Sequence, residues 1–105
     1  MRRGEVYRFR LPKGIGHEQR GERYGVVVQA DELLPRSVVL VAPTSRSARA
    51  ASFRPTVRIA GIDARVLVEQ IGAVDVQRLG KRMRQLDADE MWAVDEALTT
   101  VLGLA

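Results

Sequence analysis

The sequence contains no cysteine and only one histidine, His17, among its 105 residues. Without cysteine the chain can form neither disulfides nor thiolate metal sites, and one histidine excludes a histidine-pair nuclease centre within a single chain. No zinc spacing, P-loop or dinucleotide fingerprint occurs, so no metal or cofactor is expected. No apolar run reaches membrane-spanning length, and no apolar stretch follows the N-terminal arginines. These absences predict a cytoplasmic protein that does not enter a membrane.

Lysine is also scarce, with two residues against fifteen arginines, and the charge is unevenly distributed. Residues 1–58 carry twelve basic and five acidic side chains, a net charge of +7, whereas residues 59–105 carry five basic and eight acidic ones, a net charge of −3. A basic half favours RNA or DNA as a partner, although a merely solvated surface fits equally well. Many arginines suit phosphate recognition, or reflect only a GC-rich genome.

The length suits a single domain over residues 1–105, and a chain that is 46% hydrophobic and 29% charged is expected to fold. Six segments have the pattern of short strands, with predicted bounds 4–11, 23–30, 37–42, 53–59, 65–74 and 81–86. The valine run in the second indicates burial on both faces. Pro43, Thr44 and Ser45 are expected to end the third, and a turn is expected at 61–63.

One helix is predicted at the C-terminus. Asp87 can cap it, and Glu90, three residues later, can complete a capping box. Gly103 suits the position just after the helix. The apolar side chains that fall on one face are Met91, Val94, Leu98, Val101 and Leu102. Trp92 lies beside this stripe, as a partly buried flank residue or, less favoured, as an interface anchor.

Strands followed by one helix, without βαβ alternation, predict a small antiparallel barrel or a strongly curved sheet. Two loops stand out for their charge. Residues 13–22 are polar and lead into the valine strand, which would present ionisable groups on a rigid frame. Residues 45–52, SRSARAAS, form a basic loop. Residues 75–80 are expected to form one helical turn before a charged edge strand.

Five segments, in this order, resemble the MazF/PemK toxins of type II toxin–antitoxin systems: RRGEVYRFRLP, GIGHEQRGERYGVVVQ, VAPTS, VLVEQIGAVDVQRL and DEALTTVLGL. The resemblance covers nearly the whole chain. It implies a mainly β fold, an SH3-like barrel with a C-terminal helix, and a homodimer. It also implies a metal-independent endoribonuclease that cleaves single-stranded RNA to 2′,3′-cyclic phosphate and 5′-hydroxyl ends and inhibits translation and growth. A cognate MazE-like antitoxin would neutralise it by covering the RNA site.

In similar toxins an arginine at the head of the second strand and a threonine at the end of the third form the central pair. These positions correspond to Arg23 and Thr44. The resemblance implies that Arg23 stabilises the phosphate and that Thr44 binds a phosphate oxygen. A proton-transfer role for Arg23 is less favoured, because a guanidinium keeps its proton in proteins. Glu18 matches the acidic residue of the loop motif and would act as the base or orient Arg23.

Other residues are candidates for RNA contact. They are His17, Gln19, Arg20, Tyr24, Ser45, Arg46, Arg49 and Gln70. A neutral imidazole at position 17 would suit proton transfer, but a lone loop histidine is more often only solvated. The arginines are nearly as consistent with exposed charges that have no specific role. Gln70 and its neighbour Glu69 would line a groove between protomers or, as favoured here, close a hydrogen bond near the barrel.

The chain departs from the family pattern at two positions. Tyr24 stands where the family usually has proline, and its ring would stack on a base or only pack. Gly72 stands where a basic residue is common, which removes one possible phosphate contact.

Two other functions remain open from the sequence. The main alternative is a non-enzymatic gyrase poison of the CcdB type, which shares the fold. Such proteins have a tryptophan close to the C-terminus, whereas this chain ends VLGLA and has Trp92 a helix away. The other is an inactive RNA-binding module.

Overall fold

The computed structural model describes residues 1–9 and 23–104. It contains seven strands and one α-helix in this order: β1 Glu5–Phe9, β2 Arg23–Val27, β3 Val38–Ser45, β4 Thr56–Ile59, β5 Ile62–Val66, β6 Gly72–Asp75, β7 Leu79–Gln85 and α1 Ala88–Leu102. No helix among the described residues is long and apolar enough to cross a membrane.

The strands form one antiparallel sheet with the order β4-β5-β3-β2-β1-β7, and β6 pairs with β3. Two strands pair with the same edge of β3: β6 pairs along 38–41, and β5 pairs at Thr44 and Ser45. The sheet curls so far that Arg84 of β7 donates from Nη1 to the carbonyl oxygen of Arg58 in β4, at 2.6 Å. The predicted small antiparallel barrel with a C-terminal helix is confirmed as a curled half-barrel.

The core has two parts, one on each face of the sheet. Val26 belongs to the cluster that packs against α1, and Val27 belongs to the other cluster; both side chains are fully buried. The prediction that this valine strand is buried on both faces is therefore confirmed. The equally apolar start of β3 differs, because Val38 and Leu40 are 46% and 40% exposed.

The predicted end of the third strand at Pro43 is wrong, since β3 continues through Pro43 to Ser45. The Pro43 carbonyl accepts a hydrogen bond from Leu67 N–H at 2.8 Å. The nitrogen of a strand residue points to the same edge as its carbonyl, and at this edge β6 has ended and β5 has not begun. Pro43 therefore lies where the ladder needs no N–H donor.

The predicted strand 65–74 is also wrong. The chain leaves β5 after Val66, makes a 3₁₀ turn at Val68–Gln70 and re-enters the sheet as β6. Apolar periodicity could not reveal this break, because Val68 is fully buried within the turn. The β4–β5 turn lies at Ala60 and Gly61, both with positive φ, one residue earlier than predicted. Residues 53–55 precede β4, because the strand begins only after Pro55.

The C-terminal third matches its predictions closely. Asp87 and Glu90 form both bonds of the capping box, and Gly103 ends α1 in the left-handed conformation. The turn predicted within 75–80 is a 3₁₀ turn at Val76–Arg78, followed by edge strand β7. Two details were wrong: Leu102 is 52% exposed beyond the end of the core, and Trp92 is 66% exposed rather than partly buried. Ala97 takes a buried place on the helix face instead.

Candidate functional site

Arg23 and Thr44 lie on adjacent strands at one end of the sheet. The β2–β3 register, Gly25 opposite Pro43, places Thr44 beside Tyr24 when it continues by one residue. A hydrogen bond confirms this neighbourhood, because Thr44 Oγ1 donates to the Tyr24 carbonyl oxygen at 3.1 Å. Arg23 and Thr44 are only 8% and 3% exposed. The register thereby brings Thr44 beside Tyr24, the residue that follows Arg23 in β2.

Gly25, which was not among the predicted site residues, leaves room for the Val41 side chain beside β2. A Cβ on Gly25 would lie 2.4 Å from Cγ1 of Val41, well inside van der Waals contact. Any larger residue at position 25 would force the Val41 side chain or the β2 backbone to shift close to Arg23. The available signal was a glycine inside an apolar strand, which often marks a close approach of two backbones.

The hydroxyl of Thr44 is already bonded in this structure. Its proton is directed to the Tyr24 carbonyl, so the oxygen offers only lone pairs to other groups. A phosphate oxygen is itself an acceptor, and it can bind Thr44 only if the hydroxyl rotates away from Tyr24. The carbonyl bond therefore fixes the side chain at rest and must be exchanged when an anion binds.

Ser45, a predicted RNA contact, also has a structural role. It is 7% exposed, and its Oγ accepts hydrogen bonds from the N–H groups of Ser47 and Ala48 at 3.2 and 3.0 Å. These bonds turn the chain sharply after β3 and fix the start of the segment 46–52, here called the basic loop. Arg46 and Arg49 of this loop are exposed, which fits both a contact to a backbone phosphate and charges without a specific role.

The basic loop is held by two further arginines that were not among the predicted site residues. Arg65 on β5 donates from Nε to the Ala48 carbonyl at 3.1 Å, and Arg54 donates from Nη1 to the Arg49 carbonyl at 3.1 Å. Arg54 also binds Glu69 Oε2 through Nε at 2.9 Å and Nη2 at 2.6 Å. The structural role that the sequence favoured for Glu69 is thus an ion pair with Arg54.

Gln70 and Tyr24 border the same region. The 3₁₀ turn of Gln70 is attached to β3 through the bond between Leu67 N–H and the Pro43 carbonyl, and Gln70 itself is exposed. Tyr24 is half-buried and packs against the α1-side cluster. Gly72 starts β6, and a Cβ at this position would meet no atom within 4 Å. The side chain that the family pattern has there would consequently be accommodated.

Four predicted site residues, His17, Glu18, Gln19 and Arg20, lie outside the described residues. Within 1–9 and 23–104, no group of three His, Cys, Asp or Glu side chains is arranged to hold a metal ion. The part of the candidate site that the structure brings together is therefore Arg23, Tyr24 and Thr44, with the basic loop and the Glu69–Gln70 turn around them.

Comparison with known proteins agrees with the fold. The family model described as PemK-like, MazF-like toxin of type II toxin–antitoxin systems matches residues 2–102. Rv3098A of Mycobacterium tuberculosis, a candidate toxin, is 43% identical over 104 residues, 97% of each chain. Endoribonuclease MazF9 of the same organism is 32% identical over 115 residues, covering 99% of this chain and 98% of MazF9.

A solved mycobacterial endoribonuclease in complex with its cognate antitoxin has the same fold. It superposes with a TM-score of 0.82 at 20% identity, covering 100% of this chain and 97% of that one. Both the family match and the MazF9 similarity extend over almost the whole chain. The chain therefore belongs to the PemK-like, MazF-like toxin family of type II toxin–antitoxin systems.

Proposed function

We propose that this protein is a metal-independent endoribonuclease toxin that cleaves single-stranded RNA at short preferred sequences. The observation that carries the proposal is the position of Thr44, which bonds the carbonyl of Tyr24 next to Arg23 and lies directly before an exposed basic loop. A cation and a hydroxyl beside a cationic loop suit a phosphodiester better than a neutral substrate. The similarity to endoribonuclease MazF9 supports the same reaction.

The reaction uses the ribose 2′-hydroxyl as the nucleophile. Its oxygen forms a bond to phosphorus while the bond from phosphorus to the 5′-oxygen breaks, which leaves a 2′,3′-cyclic phosphate and a 5′-hydroxyl end. A base removes the 2′ proton and an acid supplies one to the 5′-oxygen. Arg23 balances the negative charge that grows on the phosphorane, and its burial strengthens that interaction. Glu18, or His17 as the less favoured choice, acts as the base.

Thr44 contributes by exchanging one hydrogen bond for another. Without RNA its hydroxyl donates to the Tyr24 carbonyl, and with RNA it rotates to donate to a phosphate oxygen. The neutral bond that is lost contributes about 1 kcal/mol, and a bond to an anionic oxygen contributes about 1.5–3 kcal/mol. The exchange is therefore favourable. Until the substrate arrives, the bond to the Tyr24 carbonyl holds Thr44 in one orientation.

The proposed partners follow from the same surface. RNA lies along the basic loop, with Arg46 and Arg49 at its backbone and Gln70 and Tyr24 beside its bases. A MazE-like antitoxin neutralises the toxin in the cytoplasm by covering this surface; one solved relative was determined with its cognate antitoxin. Released toxin cuts messenger RNA and thereby stops translation and growth.

We also propose that the toxin is a homodimer. Several large apolar side chains remain exposed in the single chain, among them Val38 and Leu40 on β3 and Leu102 and Leu104 at the end of α1. Pairing two copies would enlarge a small core and cover such surface. Sedimentation at micromolar concentration tests this, and a monomer at all concentrations would contradict it.

RNA cleavage by the purified protein in excess EDTA tests the main proposal, with fragment ends sequenced and their chemistry typed. We expect cuts at one short motif, with cyclic phosphate and 5′-hydroxyl ends. Intact RNA in the presence of folded protein would contradict the proposal. Trapped gyrase–DNA breaks in a parallel assay would then identify a gyrase poison, and RNA binding without cleavage would identify a binding module.

A further inference from the structure

The Arg54–Glu69 ion pair joins the basic loop to the 3₁₀ turn on the other side of Thr44. Arg54 contacts both sides at once, because Nη1 bonds the Arg49 carbonyl while Nε and Nη2 bond Glu69 Oε2. The turn that carries Glu69 is itself bonded to β3 at Pro43, the residue before Thr44. The pair thus connects the end of the loop to the strand from which the loop begins.

The loop main chain is fixed along its length by side chains. Ser45 Oγ holds the N–H groups of residues 47 and 48, Arg65 holds the Ala48 carbonyl, and Arg54 holds the Arg49 carbonyl. Two half-buried arginines therefore order a backbone whose own arginines, 46 and 49, are exposed. An ordered loop binds RNA with a smaller loss of conformational entropy than a loose one.

Glu69 is not bonded as a residue that serves stability alone would be. Both Arg54 bonds go to Oε2, whereas Oε1 is buried and has no hydrogen-bond partner among the described residues. An unpaired buried carboxylate oxygen lowers stability, and such groups are rare in folded proteins. The contribution of Glu69 that the structure does show is its grip on Arg54, which in turn bonds the loop main chain.

We propose that Arg54 and Glu69 are positioning residues, which hold the basic loop so that Arg46 and Arg49 bind consecutive backbone phosphates of single-stranded RNA. This inference rests on the proposed function and adds to it the part of the molecule that orders the RNA-binding loop. The pair acts on binding, not on the chemical step, because its bonds hold the main chain of the basic loop.

The test compares Glu69→Gln with a matched control, Asp63→Asn. Asp63 pairs with Arg58 at 3.5 Å in the β4–β5 hairpin, so its substitution also removes one ion pair, but at a site away from the basic loop. Binding is measured with a non-cleavable 2′-deoxy version of the target strand at several salt concentrations. For Glu69→Gln we expect weaker binding and a shallower log–log salt slope; complete loss of both contacts would change the slope by about 1.4, since each contributes about 0.7 on single strands.

Cleavage kinetics separate positioning from catalysis. Glu69→Gln is expected to raise KM and leave kcat unchanged, whereas Asp63→Asn changes neither. The same substitution in an Arg46→Gln/Arg49→Gln background should have no further effect, because the arginines that it positions are gone. A fall in kcat, or an equal effect in both backgrounds, would overturn the proposal.

A second measurement needs no RNA. Trypsin should cut after Arg46 or Arg49 about tenfold faster in Glu69→Gln than in the wild-type protein, because the loop opens more often without its charged bonds. Arg54→Lys repeats the test if Glu69→Gln fails to fold. Wild-type protein that binds no RNA would refute the proposed function. Unchanged RNA binding and unchanged proteolysis in Glu69→Gln and Arg54→Lys would refute the positioning role alone.

Discussion

Two glutamates, Glu5 at the start of β1 and Glu69 near the Thr44 end of β3, are bonded differently. At the N-terminal end, Glu5 is bonded through both oxygens: Oε1 accepts from Arg2 N–H at 2.7 Å and from the Tyr7 hydroxyl at 2.8 Å, and Oε2 accepts from Arg82 Nε at 2.5 Å. At the Thr44 end, Glu69 uses one oxygen only and leaves the other buried. The bonding of the Glu5 carboxylate is typical of a group that stabilises the fold. The Glu69 carboxylate, beside the candidate site, has the less stable arrangement.

The bonds around Glu5 also shift the pKa values of Glu5 and Tyr7. Burial alone would raise the pKa of Glu5, but the bonds from Arg2, Arg82 and Tyr7 outweigh it and hold the pKa below the usual 4.5. Burial and the bond to Glu5 raise the pKa of Tyr7 to about 12. Both residues therefore keep their bonding charge states throughout the neutral range, as a purely structural pair requires.

The largest expected effect is on cleavage and comes from the Thr44 end. Arg23→Ala should lower kcat by about 100-fold or more, because it removes the charge that balances the phosphorane. Thr44→Ala should give a similar loss through the missing donor. The fold should survive in both, as checked by circular dichroism. Arg23→Lys serves as the control for charge without the planar fork. Wild-type cleavage by both alanine variants would show that the site lies elsewhere.

The opposite profile is expected for Glu5→Gln, with stability reduced and turnover unchanged. Loss of the charge-assisted bonds should lower the free energy of unfolding by about 2 kcal/mol, a value limited by the half-exposed Arg82. Denaturant melts measure it, and RNA cleavage at equal folded concentration provides the second readout. A variant as stable as the wild type would remove the distinction between the two ends.

The difference in stability between Glu5→Gln and the wild type changes with pH in a defined direction. The folded-state pKa of Glu5 lies below its unfolded value, so the unfolded chain takes up the proton first as the pH falls. The stabilisation is complete above pH 4.5 and is lost as the pH falls through the folded-state pKa. Glu5→Gln should therefore differ most from the wild type at neutral pH and converge with it in acid.

A smaller effect is expected at the capping box. The Asp87 side chain accepts from Glu90 N–H at 2.8 Å, and Asp87→Ala should lower stability by about 1 kcal/mol. Arg84 also bonds both oxygens of Glu90, which keeps the helix start attached to β7 after the cap is lost. Thermal melts measure the change. Altered RNA cleavage in this variant would show that the helix start communicates with the site.

How far the sequence predicted each region follows from the range of the interactions. The capping box and the 3₁₀ turn after Asp75 depend on near neighbours, and the burial of Val26 and Val27 follows from a continuous apolar run; all were predicted correctly. The break after Val66 was missed, because it depends on which strand β3 accepts at each point of its edge. Arg54 and Arg65 were missed for the same reason: their partners are main-chain carbonyls of a loop that has no distinctive pattern.

The smallest expected effect would add a charge at the Thr44 end. A Cβ at Gly72 meets nothing within 4 Å, so Gly72→Arg should fold with little loss of stability. Gly72 follows the turn of Gln70 closely, and a guanidinium there would reach an RNA backbone that lies on this end of the sheet. We expect tighter binding and a salt slope steeper by about 0.7, as one added phosphate contact gives on single strands. Gly72→Gln, which adds bulk without charge, should leave the slope unchanged. An unchanged slope in Gly72→Arg would place the RNA away from β6 and restrict the binding surface to the basic loop.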